Sequence, residues 1–212
     1  FWGAELTHAF SAFTEVGYEV TIASPDGGKC ELDAWSDPRD ESKYSFGDLI
    51  TMGFLNTPEY KQLIDNTQAL SDLNYDDFDA LVVVGGESPM FTFRDHEELK
   101  RALRTFYEAD KVTSALCHGV AALIDVTLSD GSYLVAGKTM TGFANVEEQF
   151  ADEWVGKQVM PWRIEDAAKE RGANYIQAGR FKHFAVRDGR LITGQQQYSG
   201  AEVARLVIEA LG

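Results

Sequence analysis

Cys117 and His118 stand side by side in "VTSALCHGVAAL", between two apolar runs. A thiol next to an imidazole can do nucleophilic chemistry, because the ring can take the proton the sulfur must lose. Residues 112–116 are β-branched and aliphatic and read as a buried strand; residues 120–124 are Ala- and Leu-rich and read as a helix. A strand that turns at once into a helix projects the turn residue above the carboxyl edge of the sheet, the geometry of a nucleophile elbow. The helix amides are expected to favour a thiolate there, and Gly119 permits close backbone approach. The competing reading is a buried, inert cysteine.

Three further stretches carry candidate chemistry. "DALVVVGGES" ends a second strand on Gly85 and Gly86, whose N–H groups are free to face an oxyanion or to serve a tight turn. Glu5, in "FWGAELTHAF", either complements a helix dipole or is desolvated by Phe1 and Trp2 into a proton-holding carboxyl. "TGFANVEEQF" opens a helix with Glu147 and Glu148, either solvated acids or a carboxylate that orients His118 in a Cys-His-acid triad. His8 lies three residues beyond Glu5, His96 sits among charges, and His183 has a weak claim to a cleft. No His, Asp or Glu grouping has metal-ligand spacing.

The elements that must position these residues alternate between helix and strand, which points to α/β layers. Leu6, Phe10, Phe13 and Val16 predict a helix over 4–16, closed by Gly17. Residues 18–24 read as a buried strand and 31–56 as an irregular polar flap. Residues 56–70 read as a helix with Pro58 in its first turn, and 79–86 as a strand. An amphipathic helix covers 94–110, and 130–143 read as a hairpin-like insertion. Helices follow near 145–154 and 164–171, then a hairpin turning at Asp188-Gly189 and a closing helix over 200–211. A doubly wound sheet in the order 2-1-3-4-5 has its first strand inside the sheet, and no strand precedes the first helix. The expectation is therefore that roughly 10–25 residues, a strand and a loop, lie upstream of Phe1, or that another segment fills the gap.

The 212 residues are enough for one α/β domain spanning 1–212 and short for two. A net charge of −15 argues against nucleic-acid or anionic-membrane partners. No apolar run approaches the roughly 20 residues of a membrane span. Two cysteines, Cys30 and Cys117, are too few for a disulfide scaffold, which points to a reducing, cytoplasmic setting.

Taken in order, these stretches resemble the ThiJ/PfpI superfamily, which shares its fold with class I glutamine amidotransferase domains. "FWGAELTHAFSAFTEVGYEVTIASPDGG" is similar to its Glu-bearing helix and second strand, and "ALCHG" to its elbow. "GKTMTGFANVEE", "EDAAKERGANY" and "DGRLITGQQQYSG" resemble the branch of glutathione-independent glyoxalase III and its chaperone-like heat-shock homologues. The resemblance implies a flavodoxin-like three-layer sandwich with a mostly parallel sheet. It implies Cys117 as nucleophile, His118 as its partner, Glu5 as acid/base and Glu148 as third triad member, with Glu147 one register slip away. Gly86 and the His118 amide would form the oxyanion hole, with Gly85 and Glu87 beside it. The implied reaction converts a small reactive carbonyl, a 2-oxoaldehyde such as methylglyoxal, with water to a 2-hydroxy acid, with no cofactor or metal. A stress holdase, a cysteine hydrolase on the same site (deglycase, peptidase or amidase), an oxidation-sensing Cys117 and a homodimer belong to the same expectation. Two departures stand out. Glu87-Ser88 follows the paired glycines where His-Gly is usual, and "TGQQQYSG" replaces a common Asn-Pro-Ala-Ser.

Overall fold

In the computed structural model, which describes all 212 residues, the chain order is α1 (Gly3–Glu15), β1 (Ala23–Ser24), β2 (Asp26–Gly28), α2 (Leu49–Asn56), α3 (Pro58–Asp65) and β3 (Thr67–Ala69). Next come β4 (Ala80–Val83), α4 (Pro89–Thr92), α5 (Glu97–Glu108) and β5 (Val112–Leu116). A 3₁₀ helix (Cys117–Leu123) leads to β6 (Thr139–Met140), α6 (Asn145–Val155), α7 (Ile164–Glu170), β7 (Asn174–Tyr175), β8 (Ala185–Asp188), β9 (Leu191–Gly194) and α8 (Gly200–Leu211).

The main sheet has the order β4-β5-β9-β8, with β4, β5 and β9 parallel and β8 antiparallel at the edge. All five residues of β5 are buried, Thr113 and Ser114 included, as befits an inner strand of a parallel sheet covered on both faces. On one face Phe13 of α1 and Val203 and Val207 of α8 pack against Leu116 and Ile192. On the other, Leu99 and Leu103 of α5 join Val83, Leu123 and Ile164 in the largest core cluster. This is the expected α/β sandwich, and β5 delivers Cys117 to its carboxyl edge.

Several local expectations are corrected. Residues 18–24 form a strand only at Ala23–Ser24, where β1 pairs with β3. Residues 56–70 divide between the end of α2, α3 and β3, because Pro58 starts a new helix and Thr67 and Ala69 pair with β2. The flap over 31–56 carries α2. The hairpin predicted over 130–143 is absent: β6 pairs in parallel with the distant β7. The hairpin at 185–194 forms as read, turning at Gly189.

Residues 18–22 join no ladder and line an open space. A cavity of about 1130 Å³ separates the small β1-β3-β2 sheet from β4. Phe13 and Val207 line it from one layer, Leu99 and Phe106 from the other. β4 pairs only with β5, so its other edge faces this slot without a ladder partner. No helix is long and apolar enough to cross a membrane.

Candidate active site

Cys117 has φ +55°, a left-handed conformation that non-glycine residues avoid. The preceding strand ends at Leu116, and the next turn is a 3₁₀ helix whose residues are all buried. The turn is held from below. A Cβ on Gly119 would lie 2.6 Å from Val83 O and 2.7 Å from Val84 O, so glycine alone lets the elbow sit on β4. Gly119→Ala should therefore push β4 and β5 apart and lower stability by about 1–3 kcal/mol, read by urea denaturation; unchanged stability would mean that the elbow is loosely seated.

Glu5 reaches the same point from α1 and is fully buried. Its Oε2 accepts from Gly85 N at 2.7 Å, while Oε1 has no hydrogen-bond partner of good geometry. Burial raises its pKa to about 8, offset in part by the Gly85 N–H and by interaction with the Cys117 thiol. Contrary to expectation, Cys117 is not easily ionised, because its surroundings outweigh the amides of the turn. Burial first, then the Glu5 carboxyl, push the thiol well above its ordinary value, against the pull of the His118 and Gly86 N–H groups. Two buried acids in contact resist carrying two negative charges. With Glu5 neutral, a charge on sulfur meets no carboxylate and faces two amide donors.

Those donors sort the paired glycines. Gly85 N–H is occupied by Glu5 and its carbonyl by Trp2 N (3.1 Å), so it leaves the expected oxyanion set. Gly86, at φ +106°, turns its N–H toward Cys117 instead. A Cβ there would meet Asp33 Oδ2 at 2.4 Å. The Glu87 side chain is exposed; only its amide takes part, donating to Asp33 Oδ2 at 2.9 Å. A substrate role for the Glu87 carboxylate thus gains no support from its contacts.

His118 Nε2 lies 3.1 Å from Glu148 Oε1, and both side chains are buried. Phe143 fixes the ring plane, its centroid 4.1 Å from the imidazole. Glu147 points elsewhere: its oxygens accept from Ala144 N, Phe181 N and Gln195 Nε2. Burial raises its pKa in spite of those three bonds. The two adjacent acids are therefore separated by partner, one on His118 and one on the loop that carries Phe181.

A sequence model of the DJ-1/PfpI family matches residues 2–210. The chain belongs to the DJ-1/PfpI family. Glyoxalase 3 of Candida albicans is 30% identical over 211 residues, covering 97% of this chain and 87% of that protein. The glutathione-independent glyoxalase HSP31 of Saccharomyces cerevisiae is 28% identical, covering 98% and 87%. The crystal structure of glyoxalase III from Candida albicans matches at a TM-score of 0.80 and 28% identity, over 99% of this chain and 87% of that one.

Within this DJ-1/PfpI chain the other histidines are structural or peripheral. His8 Nε2 lies 2.9 Å from Asp48 Oδ1, tying α1 to the start of α2. His96 Nδ1 caps α5 by accepting from Leu99 N, and His183 stacks on Tyr198. Cys30 is half-buried, with its Sγ 3.9 Å from Thr67 Oγ1. Three contributors escaped sequence reasoning. Phe143, in "TGFANVEEQF", carries no chemical signal of its own. Gln195 stands out in the sequence only as part of "TGQQQYSG", a departure from the family ending. Arg163, 3.2 Å from Glu148 Oε2, gave no signal at all.

Proposed function

We propose that this protein is a glyoxalase that needs neither glutathione nor another cofactor, converting a 2-oxoaldehyde such as methylglyoxal and water to a 2-hydroxy acid such as lactate. The observation that carries the reading is the buried Glu5 carboxyl in contact with the Cys117 thiol. An isomerisation of this kind needs a nucleophile and a group that both gives and takes protons within one water-poor site. The similarity to glyoxalases over nearly the whole chain supports it.

In this scheme His118 takes the thiol proton as sulfur adds to the aldehyde carbon C1. The developing oxyanion rests on the Gly86 and His118 N–H groups and receives the proton of neutral Glu5. Glu5, now a carboxylate, removes the C1 hydrogen, and the imidazolium protonates the C2 oxygen to give an enediol. Glu5 returns its proton to carbon C2 while His118 takes the proton of the C1 hydroxyl, which leaves a thioester. Glu5 then deprotonates water, which attacks C1. Thiolate leaves and regains its proton from His118, restoring all three groups. A carboxyl that holds its proton to about pH 8 suits both halves of this cycle.

The test is a product assay. Purified protein with methylglyoxal and no thiol added should form lactate, and in D₂O the C2 position should carry deuterium, since Glu5 exchanges its proton with solvent between steps. Absence of lactate, with release of amine from glycated amino acids or cleavage of peptides, would replace this reading with a hydrolase.

A further inference from the structure

Glu148 is 1% exposed and binds His118 through only one oxygen. A carboxylate buried that deeply is expensive unless its charge is balanced. The balance comes from α7. Arg163, the residue that precedes Ile164 at the start of that helix, places Nη1 3.2 Å from Glu148 Oε2. Its Nη2 pairs with Asp152 Oδ2, one turn beyond Glu148 on α6. Asp152 Oδ1 in turn accepts from Val159 N at 2.8 Å, in the loop that leads to Arg163. The guanidinium therefore bridges two carboxylates spaced i, i+4 on one helix face. The packing of α6 on α7 is fixed separately: Asn145 N donates to Glu165 Oε2 and Asn145 Nδ2 to Asp166 Oδ1. Arg163 is thus not required merely to hold the two helices together.

We propose that Arg163 is a positioning residue of the active site, which offsets the charge of Glu148 so that His118 can pass between its neutral and protonated forms. The chemical step follows from charge counting. His118 faces Glu148 and Glu147 from α6 and adjoins the Cys117–Glu5 pair. Without Arg163 the nearest source of positive charge for Glu148 is the ring itself. The imidazolium would then be trapped, able to hold a proton but poor at returning it to sulfur or taking one from the C1 hydroxyl. Arg163 also restrains Glu148 sterically, because its Nη1 occupies the side of the carboxylate away from His118. This inference rests on the glyoxalase reading for its catalytic consequence, though not for its electrostatics.

The experiment compares Arg163→Met, Arg163→Lys and Asp152→Asn with wild type in two readouts. The first is kcat and KM for lactate formation, with and without added methylguanidinium. The second is the pH titration of the His118 ring by heteronuclear NMR, tractable because the chain has four histidines. Arg163→Met should lower kcat roughly 10–100-fold with KM little changed, as when partners that orient metal-bound histidines are lost. Methylguanidinium, entering at the partly exposed guanidinium position, should restore part of the loss, while tetramethylammonium should not. His118 should hold its proton to higher pH in Arg163→Met than in wild type. Arg163→Lys, charged but unable to bridge both acids, should fall between. Asp152→Asn keeps the arginine and should be milder. If Arg163→Met is poorly folded, the Lys and Asn variants decide through the same NMR titration. An unchanged His118 titration in well-folded variants, together with wild-type kcat, overturns the inference and leaves the glyoxalase reading intact. Absence of lactate from wild type would sink that reading alone, and the NMR arm would still decide the role of Arg163.

Discussion

Glu5→Gln is expected to raise the melting temperature above neutral pH while cutting turnover by roughly 10²–10⁴. The two effects have one origin. Folding buries Glu5 completely and raises its pKa from 4.5 to about 8. The folded protein then holds a proton that the unfolded chain releases. For a raised carboxyl the stability is fully present below about pH 4.5 and is lost as pH climbs through about 8. The slope across that window is about 1.4 kcal/mol per pH unit for one proton. Glutamine cannot ionise, so its variant escapes the loss. It keeps an oxygen for Gly85 N–H but buries an amide NH₂ whose missing partner costs about 1–3 kcal/mol. The net gain at pH 8 is therefore about 2 kcal/mol, or roughly 4–8 °C for a chain of this size. Near pH 5 the gain should vanish or reverse. Thermal melts of both proteins from pH 5 to 9, with lactate assays alongside, measure both effects. Parallel melting curves would mean that Glu5 is ionised in the folded state. Near-normal turnover would remove it from the mechanism.

What the sequence made legible follows the range of the forces involved. The long helices at Gly3–Glu15, Glu97–Glu108 and Gly200–Leu211 were readable because an apolar stripe every three to four residues is a local signal. β5 and the elbow were readable because a buried strand, a thiol, a base and a glycine are contiguous. β3 was not: Thr67–Ala69 is short and polar, and only pairing with β1 and β2 makes it a strand. β6 and β7 pair across more than thirty residues, which no local pattern records. The site divides in the same way. Gly85 and Gly86 are equivalent on paper, and the arrival of Glu5 from α1 decides which N–H remains free for an anion. Glu147 and Glu148 are separated by which side of α6 meets His118 and which meets Gln195. Arg163 was invisible because its relevance depends wholly on the docking of α7 against α6.

Substitutions at Cys117 should separate chemistry from backbone strain. Cys117→Ser keeps size and hydrogen-bonding capacity but replaces an ionisable thiol by a hydroxyl that does not form its anion near neutral pH. Loss of a nucleophile that acts as a unit with its base typically removes about 10⁴-fold or more of turnover. Both lactate and the methylglyoxal adduct on the intact protein should disappear. In Glu5→Gln, by contrast, adduct should still form: glutamine places no charge beside the sulfur, the Gly86 and His118 N–H groups still hold the oxyanion, and the imidazolium can protonate it in place of Glu5, while removal of the C1 hydrogen is lost. The backbone gives a second, independent readout. At φ +55° any side chain costs roughly 1–2 kcal/mol, and glycine is free of that penalty. At an ordinary buried position, exchanging alanine for glycine loses about 0.8 kcal/mol of apolar burial and destabilises. At position 117 relief of strain should cancel that loss, so Cys117→Gly should be at least as stable as Cys117→Ala, with both inactive. Denaturation midpoints of the two variants measure the difference. Alanine more stable than glycine by over about 1 kcal/mol would show that the elbow is relaxed in solution. The sulfur would then owe its position to the burial of its surroundings and not to a strained turn.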